Sequence, residues 1–176
     1  LDEAGVEGAR RMLKRDAMTL MQGIYPHGTY HYWMREKGNL TKKPRGDFSN
    51  TQYGILGVWA AAERGVEIHP KYWKLVQHGY VWGQQKDGGW RYPVVPEHKS
   101  ESELYPGSRD GLTLGGIASL FVVWDHYYAR GDCDRRVDPD LIRALNRAIK
   151  WADDRFTKVK KSGKDYIEPY TLYSLE

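Results

Sequence analysis

Two carboxylates stand at matching places in this chain of 176 residues. Asp47 precedes a nearly uncharged helical stretch, and Asp110 opens another that runs from Leu112 to Trp124. A pair of carboxyl groups at two neighbouring helix starts has the composition of a glycan-cleaving site. In such a site one acid protonates the leaving group and the other activates water or attacks. The same residue types also cap helices, because an Asp or Ser side chain accepts from the first free N–H groups. Ser49 reads as the N-cap of the first stretch, with Asp47 adding negative charge. Asn50 and Gln52 are less readily explained as caps and are candidates for ligand contact, as is Thr113 in the second stretch. The aromatic segment before the first stretch adds Tyr30, His31 and Trp33 to the candidate ligand-binding residues.

Other chemistry is poorly represented. The six His are dispersed, and Pro26 and Gly28 interrupt any helix that would pair His27 with His31. One cysteine, Cys133, rules out an internal disulfide. No phosphate-binding loop, nucleophile elbow or metalloprotease helix is found, so neither a metal nor a cofactor is expected. The net charge is +4, but the basic residues are scattered, and the clusters at Lys42–Arg45 and Lys158–Lys161 have acidic neighbours. No nucleic-acid partner is expected. The apolar stretch Leu112 to Trp124 falls short of the roughly 20 residues that span a bilayer. With 13 Tyr and 7 Trp against 3 Phe, the chain is rich in rings with a polar tip. Such rings suit a partly wet groove or wedge helices together. The compartment is left open.

The elements that must position these groups are helices. Val6, Ala9, Leu13, Ala17 and Leu20 keep a helical period from Glu3 to Gln22. A second, mostly apolar helix starts near Ser49 and stops at Gly65. A third opens at Pro70 and ends near Gln85, with Lys71, Lys74 and Gln77 on its polar side. A fourth runs from about Asp110 to Gly131, and a fifth follows Asp138 as N-cap. In the fifth, Leu141, Ile142, Leu145, Ile149 and Trp151 are expected to face inward, and Arg147 outward. A sixth begins near Pro169. Amphipathic and apolar helices alternate, which predicts two layers in a single domain over residues 1–176.

A repeat of about 65 to 70 residues is also legible. Gly65 and Pro70 recur as Gly131 and Pro139, and Trp82 recurs as Trp151. At the end of the third helix stands Tyr80-Val81, then Gln85-x-x-Gly88-x-Trp90. A weaker copy closes the first helix as Gln22 followed by Gly28-Thr29-Tyr30. A third has Phe156 in the Gln position. The pattern resembles the QW motif of the prenyltransferase/squalene oxidase (terpenoid cyclase-like) repeat family. The resemblance implies an all-α fold, an α/α toroid or partial α/α barrel of helical hairpins with inner and outer helices. It makes Gln85, Gly88 and Trp90 structural motif residues.

It also implies a cavity at the N-terminal ends of the inner helices, where Asp47 and Asp110 lie. The acidic Asp-x-Asp-Asp motif of the cyclases is absent. Asp132-Cys133-Asp134 lacks the spacing of the prenyltransferase zinc ligands. The expected function is therefore a repeat domain without the known catalytic motifs, binding a ligand or partner through an aromatic-lined groove. The alternative is a terpenoid- or glycan-directed enzyme using Asp47 and Asp110. Expected partners are an isoprenoid or glycan, and the remainder of a larger toroid, another domain or a second copy, because three hairpins leave a ring incomplete.

Overall fold

The computed structural model describes residues 3–32, 46–92, 107–130 and 135–162. Among the described residues regular structure is helical, apart from one isolated antiparallel bridge between Tyr30 and Asp47. The helices are α1 (Glu3–Gly23), α2 (Phe48–Glu63), α3 (Pro70–Gly83), α4 (Asp110–Val123) and α5 (Pro139–Ser162). A π-helical segment, Trp124–Ala129, continues α4 without a break. Trp33, the segment around Cys133 and the helix expected near Pro169 lie outside the described residues.

The helix ends follow from local chemistry. The Asp47 carboxylate accepts from Ser49 N and Asn50 N, so Asp47 is the N-cap of α2. Ser49, expected in that role, sits inside the first turn and donates its hydroxyl to Asp47. Gly65, at φ 83, takes the left-handed conformation just past the end of α2, and its N–H reaches Ala62 O. Pro70 opens α3, with His69 accepting from Lys71 N. Asp138 accepts from Asp140 N at the start of α5, as its sequence predicts.

Helix α2 packs on α1 and α4; α4 packs on α2, α3 and α5; and α3 also packs on α5. Gln52 meets Gly115 near the starts of α2 and α4, and Glu63 meets His126 near their ends. The two apolar helices therefore run parallel and close to register. The core between all five helices is built from Phe48, Ile55, Val58, Val76, Tyr80, Trp90, Leu112, Leu120, Val123 and Leu141, each almost wholly withdrawn from water.

Three expected faces are corrected. In α1 only Ala17 of the apolar period is buried, while Val6 and Ala9 are exposed. Helix α1 has 21 residues against 16 for α2, on which it packs, so α2 is too short to cover its whole length. In α3 Gln77 is buried rather than solvated, because Tyr128 donates to its Oε1 and its Nε2 donates to Asp138. In α5 the buried stripe is Leu141, Ala144, Leu145, Ala148 and Ala152, leaving Ile142 and Ile149 40 % and 45 % exposed. The alanines let α5 lie close to its neighbours, which shifts the packed stripe off the two isoleucines. Arg147 is exposed, as expected, and its guanidinium donates to Gln85 O and Lys86 O.

The repeat appears as two matching sets of contacts. Tyr25 N donates to Thr29 O, and Gln85 N to Gly89 O. Tyr30 N donates to Thr51 Oγ1, and Trp90 N to Thr113 Oγ1. Asp47 N donates to Tyr30 O, and Arg109 N to Trp90 O. The Tyr30 ring sits where a side chain on Gly54 would lie, and Trp90 where one on Gly116 would. The offset is thus 60 residues in the turns and 62 in the helices that follow. The longer spacing read from Gly65/Gly131 and Pro70/Pro139 includes the extra π turn and the connection after it.

Candidate functional site

The sequence motif builds a turn, residue by residue. Gln85 Nε2 donates to Gly83 O, one of the carbonyls left unpaired at the end of α3. Gly88, at φ 104, seats its backbone against Arg147 O of α5, where a Cβ would come within 2.7 Å. Trp90 then folds back, and its Nε1 donates to Tyr80 O. In the first unit Gly28 is seated in the same way against Leu75 O of α3, and Tyr30 donates its hydroxyl to Leu20 O. The counterpart of Gln85 is Tyr25, 60 residues earlier; Gln22 is exposed one turn before it. Among the described residues no third turn is formed, since Phe156 lies within α5.

The residues expected to face a ligand fall into three groups. Tyr30 and Thr113 are buried and hydrogen-bonded within the turns, as is Thr51, the partner of Tyr30. Burial pushes the Tyr30 phenol well above its ordinary range, against a smaller opposing effect of its hydrogen bond to Tyr72. Asp47 is engaged by the first N–H groups of α2, and Asp110 forms an ion pair with Arg155 of α5 at 2.9 Å. The counterpart of Asp47 is Arg109, not Asp110: both Asp47 and Arg109 are N-caps, 62 residues apart. Gln52 is buried against Gly115, and Asn50 is half-buried with an Nδ2 that finds no hydrogen-bond partner. His31 is half-buried with its ring edge against Tyr32.

Compared with known proteins, the chain matches no family profile, no curated protein and no solved structure.

Two further features lie on the same pair of helices. One is apolar surface. Trp59 of α2 and Phe121 of α4 occupy equivalent positions, 62 residues apart, and are 36 % and 48 % exposed. Leu56 with Ala118, and Ala60 with Val122, are further equivalent pairs that are at least partly exposed. Because α2 and α4 run parallel as repeats, equivalent positions face the same way and the pairs form one continuous apolar strip. Trp124, the residue that follows α4, is 40 % exposed.

The other is a charged cluster at the C-terminal ends of the same helices. Glu63, Asp125 and His126 each bring one ligand-type atom to within 4.8 Å of the others. The π segment makes this possible. Closing i→i+5, as Arg130 N does on Asp125 O, turns successive side chains through a smaller angle than an α-helix does. Asp125 and His126 can then both address Glu63. Arg130 pairs with Glu63 at 2.5 Å and with Asp125 at 2.8 Å. Trp73 of α3 stacks on the His126 ring with centroids 5.0 Å apart. Burial, and then the Arg130 charge, lower the pKa of His126 against the opposing pull of Asp125 and Glu63. Sequence reading missed this cluster, because residues 63 and 125 become neighbours only through the 62-residue repeat. Nothing in the local sequence marks the π turn.

Proposed function

We propose that the chain is an α/α-toroid repeat domain of the prenyltransferase/squalene-cyclase type that binds an isoprenoid-like apolar chain along α2 and α4. The observation that carries this reading is the strip of Leu56, Trp59 and Ala60 with Ala118, Phe121 and Val122. Helix α4 is apolar on all sides, a composition suited to burial, and yet one side is open. Contiguous exposed apolar surface of this kind marks interaction sites. An extended hydrocarbon fits it better than a glycan, because the strip offers rings and methyl groups and few hydrogen-bonding groups. The twofold-repeated QW-type turn supports the family reading. Asp47 and Asp110 are engaged as a cap and an ion-pair partner, so no acid/base step is assigned to them.

The test is a titration of the protein with a farnesyl- or geranylgeranyl-chain alcohol, followed by intrinsic tryptophan fluorescence, with a neutral oligosaccharide as control. Saturable quenching by the isoprenoid alone is expected. Trp59→Ala and Phe121→Ala should each weaken binding by about tenfold, the equivalent of roughly 1.4 kcal/mol of lost apolar contact. Both residues are partly exposed, so the circular dichroism spectrum should hold. Absence of saturation, or wild-type affinity in both variants, would sink the reading.

A further inference from the structure

The cluster at the ends of α2 and α4 carries an inference independent of the apolar strip. Glu63 and Asp125 occupy equivalent repeat positions, so the fold itself sets two carboxylates side by side. It does so where anions are least favoured. Glu63 is the last residue of α2, and Asp125 opens the last turn of the π segment. Both lie at the negative ends of two parallel helix dipoles. Such an arrangement calls for a cation. Arg130 provides one positive charge against two negative ones, and its guanidinium is half exposed.

The third member of the cluster indicates which kind of cation is suited. The His126 side chain is 9 % exposed, and Trp73 fixes its ring by stacking. Its Nε2 lies 3.1 Å from Glu63 Oε1 and 3.9 Å from Asp125 Oδ2. Neither approach has hydrogen-bond direction, so this buried nitrogen is left without a partner. An orphaned buried polar atom is costly unless something else satisfies it. Two ligand atoms bound to one zinc ion at about 2.0–2.1 Å in tetrahedral array lie about 3.3 Å apart, close to the His126–Glu63 separation. Imidazole nitrogen with carboxylate oxygen selects a divalent first-row transition ion, whereas Ca²⁺ and Mg²⁺ favour all-oxygen shells.

We infer that Glu63, Asp125 and His126 form a binding site for a divalent transition-metal ion of the Zn²⁺ class. The metal displaces the Arg130 guanidinium from the two carboxylates. Three protein ligands leave a fourth position open on the solvent side, the arrangement that distinguishes open zinc sites from closed structural ones.

The experiment is a titration of the chelator-treated full chain with Co²⁺, read by visible d–d absorption, and with Zn²⁺, read by calorimetry. One saturable site is expected, with no competition from excess Mg²⁺ or Ca²⁺. Glu63→Gln and His126→Asn should each weaken binding by about tenfold or more. Glu63→Gln changes an exposed residue and keeps the test valid if His126→Asn fails to fold. Arg130→Gln should tighten binding, because it removes the competing cation. That result separates this site from chance binding at another histidine or at Cys133. Lack of saturable binding in both wild type and Arg130→Gln would overturn the inference. So would metal binding that Glu63→Gln leaves unchanged, or binding of Ca²⁺ in place of the transition ion.

Discussion

The turn at Gly88 shows how far one residue can be constrained by two separate demands. Its φ of 104 lies in the region that L side chains rarely adopt, and Arg147 O occupies the space a Cβ would fill. Gly65 shares the first demand at φ 83 but has open space around it. Gly65→Ala should therefore cost only the backbone strain, about 1 kcal/mol. Gly88→Ala must in addition separate α5 from the turn, and should cost more than about 2 kcal/mol. Denaturant melts of the two variants read the difference. Equal losses would mean that the α5 contact is not made. The need for glycine at position 88 is legible from the QW-type spacing. That the partner is a carbonyl of α5, 59 residues later, is not, because a backbone-to-backbone contact leaves no mark in side-chain pattern.

At the scale of the helix, capping and ion pairing separate two acids that look alike in sequence. Asp47 satisfies two N–H groups at the start of α2 and is bridged through its own backbone to Tyr30. Asp110 stands one residue inside α4, after an N-cap with no side-chain hydrogen bond, and its carboxylate is held by a half-exposed Arg155. Asp47→Ala should destabilise by about 1 kcal/mol or slightly more. Asp110→Asn should lose no more than about 0.5 kcal/mol, since exposed ion pairs contribute little. Thermal unfolding at fixed ionic strength tests the order, and a larger loss at Asp110 would reverse these roles. Helix positions were well marked by Pro70, Gly65 and Asp138, whose local chemistry decides where helices start and stop. Faces were less legible. Ile142 and Leu141 are alike in hydrophobicity, and only the approach of α4 and α3 to the alanine stripe of α5 determines which is buried.

Across the whole molecule, the joints between repeat units are aromatic and include histidine. His27, in the first turn, lies against Trp82 of α3, and His126, after α4, stacks on Trp73 of the same helix. Burial, with the nearby His78 charge as the smaller cause, lowers the pKa of His27 below its ordinary 6.5. A histidine held neutral by the fold binds fewer protons there than in the unfolded chain. Its contribution is fully present above pH 6.5 and is lost as pH falls from 6.5 through the lowered value. Asp87, at the other turn, acts in a lower window. Burial raises its pKa, but hydrogen bonds from Ser108, Gly89 and Trp151 outweigh that and leave it below 3.8. Its contribution persists until the medium is more acid than the unfolded carboxylate value of 3.8. Mild acid should therefore loosen the joints through histidine before the carboxylates are affected. The measurement is stability in denaturant from about pH 7 to pH 5, in wild type and in His27→Gln. Wild type should lose stability over that range, and His27→Gln should lose measurably less of it. His126, whose pKa is lowered in the same sense, maintains a residual slope in the variant. A flat wild-type profile, or identical slopes in the two proteins, would show that the first joint does not exclude a charged imidazole.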